Sequence, residues 1–294
     1  MSTSKWMLAI AIGCLALCVF PVTARPISPD QQQSERRPTH AERLQQEGFT
    51  ADGQGLLAAA TSPNITARKL AYLTAYDQQI DVLIDPAIQE LDTVEDTSLW
   101  TNFAAARYLD QQGRAEGTDY LRHLASIPLE ELNHSPDTLR VMDSIRILAE
   151  KGDESFAPQI ISYLETAWPS EAIAAVRALA AYRNSSDPEV ERAWIAATER
   201  LSAFLQAEDP QVHNGARLYA TWLSDSVRKQ SVVTQRIKDA FDAIVLPPDR
   251  DDEQGRIARS LESARTHWAT CELVPSEEPP PAEQPADPPP ADPE

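Results

Sequence analysis

Six arginines stand at nearly even intervals along this chain, most of them set between an apolar residue and a leucine two places on. They are Arg68, Arg107, Arg146, Arg177, Arg217 and Arg259, in clusters such as Ala67-Arg68-Lys69-Leu70 and Val176-Arg177-Ala178-Leu179. Ala216-Arg217-Leu218-Tyr219 is a degenerate copy with Tyr in place of Leu. A guanidinium presents five donors in a planar fork, so a row of them could bind planar anions. The same forks could instead pair with acids of the adjacent repeat, and Asp77, Asp110, Asp143, Glu150 and Asp225 lie close by in sequence. The expectation is the second: repeat-stacking contacts, each exposed pair contributing ~0.5–1 kcal/mol.

Tryptophan offers the other binding chemistry. Trp168, Trp194 and Trp222 are almost evenly spaced and fall in successive helical segments. On a shared face they would anchor a peptide or a glycan, because Trp dominates interface hot spots. Packed between repeats they would only fill core. Tyr72, Tyr108, Tyr182 and Tyr219 follow the arginine clusters closely and are expected to be core residues.

Catalytic patterns are missing by contrast. His40, His123, His134, His213 and His267 are scattered without ligand spacing. Glu130 and Glu131 are neighbours, so on a helix they would point about 100° apart and could not flank one bond. Gly53-Gln54-Gly55 resembles a dinucleotide-binding turn in letters, but the polar run before it is no strand. Asp249, Asp251, Asp252 and Glu253 lack the glycine of a calcium loop. No catalytic residue, metal site or cofactor is expected.

The intervals between the six arginines are 39, 39, 31, 40 and 42. That is the period of stacked helical hairpins. Helical spacing supports it: Val141, Met142, Ile145 and Leu148 fall on one face, as do Ala172, Ile173, Val176, Leu179 and Ala180. Ser62-Pro63, Ser135-Pro136, Asp187-Pro188 and Asp209-Pro210 each pair an N-cap type with a proline suited to the first helical position. Gly113 and Gly152 stand where left-handed C-terminal caps belong. Hairpins are therefore expected over 49–77, 80–113, 116–152, 155–183, 187–223 and 228–270, with no strands. One pair is too small to bury its own apolar face, but stacked pairs form a continuous core.

Gly55 to Ala71, with Asp187-Pro188-Glu189-Val190 and Val176-Arg177-Ala178-Leu179-Ala180-Ala181, resembles HEAT-like repeats of the bacterial phycobilisome-lyase type. The resemblance covers about residues 49 to 270 and extends to the repeat class only. It implies an all-α, right-handed α-solenoid of about six helical hairpins. Tetratricopeptide-like pairs are the other option, although their Trp-Leu-Gly-Tyr spacing is absent.

The ends differ from this body. Residues 1–24 read as an export signal: Lys5, an apolar run from Trp6 to Phe20, then small residues before a cleavage point. An uncleaved anchor, or lipidation at Cys14 or Cys18, is the alternative. Residues 25–48 read as a flexible polar lead-in and 49–274 as the helical body. The end, 275–294, is built mostly from nine prolines and six acids, which predicts a disordered acidic tail with polyproline II character.

Removal of the signal would leave Cys271 as the single cysteine, with no internal disulfide to make. It would also move the formal charge from −19 to −20, because Lys5 goes with it. Such acidity disfavours nucleic acid and anionic membranes. The expected function is a secreted or periplasmic scaffold with a neutral or basic protein partner. A polysaccharide- or peptide-binding protein, or a lyase or glycosidase on a helical-hairpin fold, is the alternative.

Overall fold

A computed structural model describes residues 36–92, 99–128, 131–132, 135–166, 168–247 and 255–276. The chain divides into a unit ending at Thr39 and one beginning at His40. All the described helices belong to the second unit, which is mostly helical with little strand.

Thirteen helices appear among the described residues: α1 (His40–Gln46), α2 (Gly53–Ala60), α3 (Ile65–Gln78), α4 (Ile84–Leu91), α5 (Leu99–Gln111), α6 (Ala115–Ala125), α7 (Ser135–Ala149), α8 (Ala157–Thr166), α9 (Pro169–Leu179), α10 (Pro188–Gln206), α11 (Pro210–Val227), α12 (Gln235–Asp242) and α13 (Arg256–Trp268). Two of them fall, within a few residues, on each of the six segments expected to be hairpins. The start signals act as their chemistry dictates. Asp187 Oδ1 accepts from the Glu189 N–H at 2.7 Å, and Asp209 Oδ1 accepts from the Gln211 N–H at 2.7 Å. At Ser62-Pro63 the cap moves two residues on, to Asn64, whose Oδ1 takes the Thr66 and Ala67 N–H groups. Gly113 and Gly152 adopt φ of 72° and 85°, the left-handed caps that close α5 and α7.

The arginine clusters mark the buried stripe. Ala67 and Leu70, Ala106 and Leu109, Ile145 and Leu148, Val176 and Leu179, and Ala216 and Tyr219 are all buried. Residues three apart share a helix face, and the arginine between them is turned off it. In α13 the register differs: Ile257, Leu261, Ala264 and Trp268 are buried, while Ala258 and Arg259 are exposed.

Packing runs mainly between near neighbours in sequence. α1, α3, α5, α7, α9, α11 and α13 pack successively on one another, and α2 contacts α4, α4 contacts α6, α8 contacts α10 and α10 contacts α12. Consecutive helices such as α2 and α3, α4 and α5, α6 and α7, and α10 and α11 also pack together. Side-chain contacts give the relative directions. Arg68 meets Glu90 and Tyr72 meets the Pro86 carbonyl, so α3 and α4 run in opposite senses. Lys69 meets Trp100 and Arg107 meets Tyr76, so α3 and α5 run the same way. Arg177 meets Trp222, and a Cβ at Gly215 would lie 2.4 Å from Pro169 Cβ, so α9 and α11 are parallel too.

The apolar interior has two clusters that meet at α5. Ala104, Ala105, Tyr108 and Leu109 belong to the N-terminal one, and Phe103 and Ala106 to the other. Tyrosine hydroxyls tie helices across this interior. Tyr72 Oη donates to the Pro86 carbonyl at 3.1 Å, and Tyr219 Oη donates to the Ala197 carbonyl at 2.9 Å. Tyr108 Oη accepts from the Leu83 N–H at 3.1 Å, a donor at the start of α4 that the helix itself cannot satisfy.

Two features depart from the sequence expectation. The lead-in over 25–48 contains α1, whose Leu44 is buried and whose His40 Nδ1 lies 2.7 Å from Asp77. Its apolar content is too low to show a stripe, so this helix is held by α3 and not by its own amphipathicity. Two three-residue strands also form, β1 (Val232–Thr234) and β2 (Glu272–Val274), paired in parallel with Val232 opposite Glu272. Strands this short carry no alternation to read. They are set by their flanks: Asn184, in the left-handed region at φ 59°, accepts from the Ser231 N–H and hydroxyl at 3.0 and 2.7 Å.

Beyond β2, the Ser276 hydroxyl donates to the carboxylate of buried Glu191, with 2.9 and 2.8 Å to its two oxygens, and Arg236 pairs with Glu191 at 3.1 Å. A hydrogen bond to a charged group contributes about 1.5–3 kcal/mol. Ser276→Ala should therefore loosen β2 locally, raising amide exchange at Leu273 and Val274 about tenfold while α1–α5 keep their protection. The segment read as an export signal, most of the acidic tail, Glu130, His134 and the Asp249–Glu253 cluster lie outside the described residues.

Candidate functional site

Trp100 sits in the first turn of α5, and Arg107 lies seven residues further along the same side of that helix. On α3, Lys69 and Tyr76 repeat this seven-residue interval. The two parallel helices thereby form matched rungs: Lys69 Nζ is 4.9 Å from the Trp100 ring centre, and Arg107 Cζ is 4.0 Å from that of Tyr76. From α7, Arg140 Cζ approaches the Trp100 ring centre to 3.1 Å and the Phe103 ring to 5.3 Å. Such contacts contribute about 0.5–2 kcal/mol each, more as water is excluded.

The electrostatics are unusual for so acidic a chain. Arg140 is 9% exposed and pairs with Asp143 at 3.2 Å. Burial pulls its guanidinium down to about 10, opposed by Asp143 and Asp137 and reinforced by Arg107. The Lys69 ammonium is also lowered, first by burial and then by the positive charges of Arg43 and Arg140. Four cations thus feel one another here. Among the described residues, Lys69 and Arg107 have no carboxylate within ion-pair distance; their partners are aromatic rings. Trp100 remains 37% exposed.

A similar pairing recurs further along. Arg177 on α9 stands 5.3 Å from the Trp222 ring on α11, and exposed Leu218 precedes Trp222 by one helical turn. Trp168, 54% exposed at the start of α9, borders a cleft of about 270 Å³ with Pro169, Arg200, Ala203, Phe204, Ala207 and Val212. Each exposed tryptophan thus has an arginine beside it or in the same cleft.

The structure divides the three tryptophans between the two placements considered, a shared binding face and core packing. Trp194 is 3% exposed and packs edge-on against Trp268, with ring centres 5.9 Å apart. It fills core, because α10 is covered by α12 and its neighbours, whereas Trp168 and Trp222 reach the surface. Trp168→Ala should change stability by less than about 1 kcal/mol, within the range of surface substitutions, as a thermal unfolding scan would record.

The arginine ladder is resolved unevenly. Arg68 pairs with buried Glu90 of α4 at 3.1 Å, a contact between successive helices. Arg146 pairs with Asp143 of its own helix at 3.6 Å and with Glu150, the residue just past its end, at 2.8 Å. Arg107 and Arg177 stack on rings of neighbouring helices, and Arg217 and Arg259 have partners of their own. The other acids considered bind elsewhere: Asp77 to His40, Asp110 to Thr118 and Lys151, and Asp225 to Arg228. Lys69, Trp100 and Arg140 were not singled out by the repeat. Trp100 lies seven residues before Arg107, and that spacing was the available signal.

No group of three or more His, Cys, Asp or Glu able to hold a metal occurs among the described residues. Cys271 is half-buried, and burial pushes its thiol up, away from the reactive thiolate. The arrangement is suited to binding anions and flat or proline-rich groups. No helix among the described residues is long and apolar enough to cross a membrane. No family model, curated protein or solved structure matches this chain.

Proposed function

We propose that this chain is an exported helical-repeat scaffold, a right-handed HEAT-like α-solenoid of six helical hairpins, that mediates protein–protein interaction. The alternation of opposed and parallel helices, with contacts mainly to the first and second neighbours, supports stacked hairpins. The reading of 1–24 as an export signal supports action in the periplasm or outside the cell. The cation and aromatic groups around Trp100 carry the binding reading, since they combine partial exposure, flat rings and positive charge, with no carboxylate at ion-pair distance from Lys69 or Arg107 among the described residues. Whole-chain acidity favours a neutral or basic partner, but this local surface favours an acidic segment, and local contacts decide docking.

Replacing Trp222 or Lys69 by a photo-crosslinking residue in the exporting cell tests this. Discrete adducts from these positions, absent when the same residue is placed at exposed Thr221, are expected. Uniform or absent cross-linking at all three positions overturns the scaffold reading. The Trp168 cleft supports a second use, binding of a short peptide or glycan, and quenching of tryptophan emission by such a ligand, lost in Trp168→Ala, would report it.

A further inference from the structure

The acidity of this chain is unevenly placed, and that imbalance identifies an occupant for the Trp100 surface. The segment 277–294 holds eight prolines and six acids, with no basic side chain. Proline-rich segments are held by aromatic faces because their extended form is preorganised and loses little entropy on docking. Acids interspersed among the prolines need cations beside those faces. Lys69 and Arg107 with Trp100 and Tyr76 supply that combination on α3 and α5, with the positive charge of Arg43 of α1 acting on Lys69, whereas the nearly buried Arg140 of α7 is already paired with Asp143.

Resting on the reading of this surface as a binding site, we infer that its resident ligand is the acidic, proline-rich segment 277–294 of the same chain. The tether permits it. Ser276 is fixed on Glu191 of α10, which packs against α11. From α11 to α5 the odd-numbered series takes three steps, each about 8–10 Å between helix axes. In polyproline II form this segment would span about 56 Å, at ~3.1 Å per residue. Joining ligand and surface in one chain gives a high effective concentration, so weak contacts suffice.

The test uses the full chain labelled with 5-fluorotryptophan, its Trp100 fluorine resonance assigned through Trp100→Phe. A second protein carries Glu277→Gln, Glu278→Gln, Glu283→Gln, Asp287→Asn, Asp292→Asn and Glu294→Gln. Near 0.01 M salt, where charges act over about 30 Å, the Trp100 resonances of the two proteins should differ. Near 1 M salt, where the range falls to about 3 Å, they should coincide. A synthetic peptide of residues 277–294 added to the neutralised protein should restore the low-salt position. Lys69→Gln with Arg107→Gln, both side chains partly exposed, should weaken that peptide about tenfold.

Identical low-salt resonances in the two proteins overturn the proposal. So does a shift that grows with protein concentration together with a dimer in sedimentation, which would assign the segment to a second copy. If the resonances are identical while Lys69 still yields discrete adducts, the scaffold stands and its ligand is another acidic protein. If the segment docks but no adducts form, the scaffold reading fails and the self-contact remains.

Discussion

Trp268→Ala should destabilise the protein by about 3–5 kcal/mol, the cost of truncating a large buried aromatic. Trp268 is 2% exposed at the end of α13, edge-on to Trp194 of α10, and it immediately precedes the turn into β2. Its loss removes the plug between α10 and α13. Among the described residues its indole N–H has no hydrogen-bond partner, so Trp268→Phe, which deletes that buried donor, should cost far less than the alanine variant. In a linear stack each repeat contacts only its neighbours, so the damage should stay local. Amide exchange should accelerate across α10–α13 and remain slow in α3–α5. Equal acceleration throughout would mean one cooperative unit in place of a line of repeats.

Gly117→Ala should cost about 3 kcal/mol, at the upper end of overpacking. Here α6 approaches α5 so closely that a Cβ would lie 2.5 Å from the Ala106 carbonyl oxygen and 2.5 Å from the Asp110 nitrogen. Backbone on both sides prevents a rotamer change from relieving the clash, and the Thr118 hydroxyl bond to Asp110 at 2.7 Å would be stretched. For a body of this size the melting temperature should fall by about 6–12 °C. Gly53, with nothing within 4 Å of an added Cβ, is the control: Gly53→Ala should leave stability unchanged or slightly raise it. A Gly117→Ala protein as stable as the parent would show that α5 and α6 are packed less tightly.

Much of the helical framework was legible because its signals are local. Asp187-Pro188 and Asp209-Pro210 start helices through their own side chains, Gly113 and Gly152 stop them through φ, and Val176 with Leu179 mark the buried stripe within one turn. What stayed hidden depends on partners distant in sequence. Leu44 is core only because α3 covers it, and β1 exists only because Asn184 and β2 lie beside it. The separation of Trp194 from Trp168 and Trp222 follows from which helix faces which neighbour, and even spacing along the chain does not encode that. The Trp100 cluster is the same case: its members come from four helices that are distant in sequence.

The register change in α13 bears on how the molecule meets its own copies. Its inner side presents Ile257, Leu261, Ala264 and Trp268, but its outer side presents Arg256, Arg259, Glu262 and Thr266 to solvent. A second molecule arriving at that face of α13 meets these charged and polar side chains. Growth of the proposed stack into a filament across that face is therefore disfavoured.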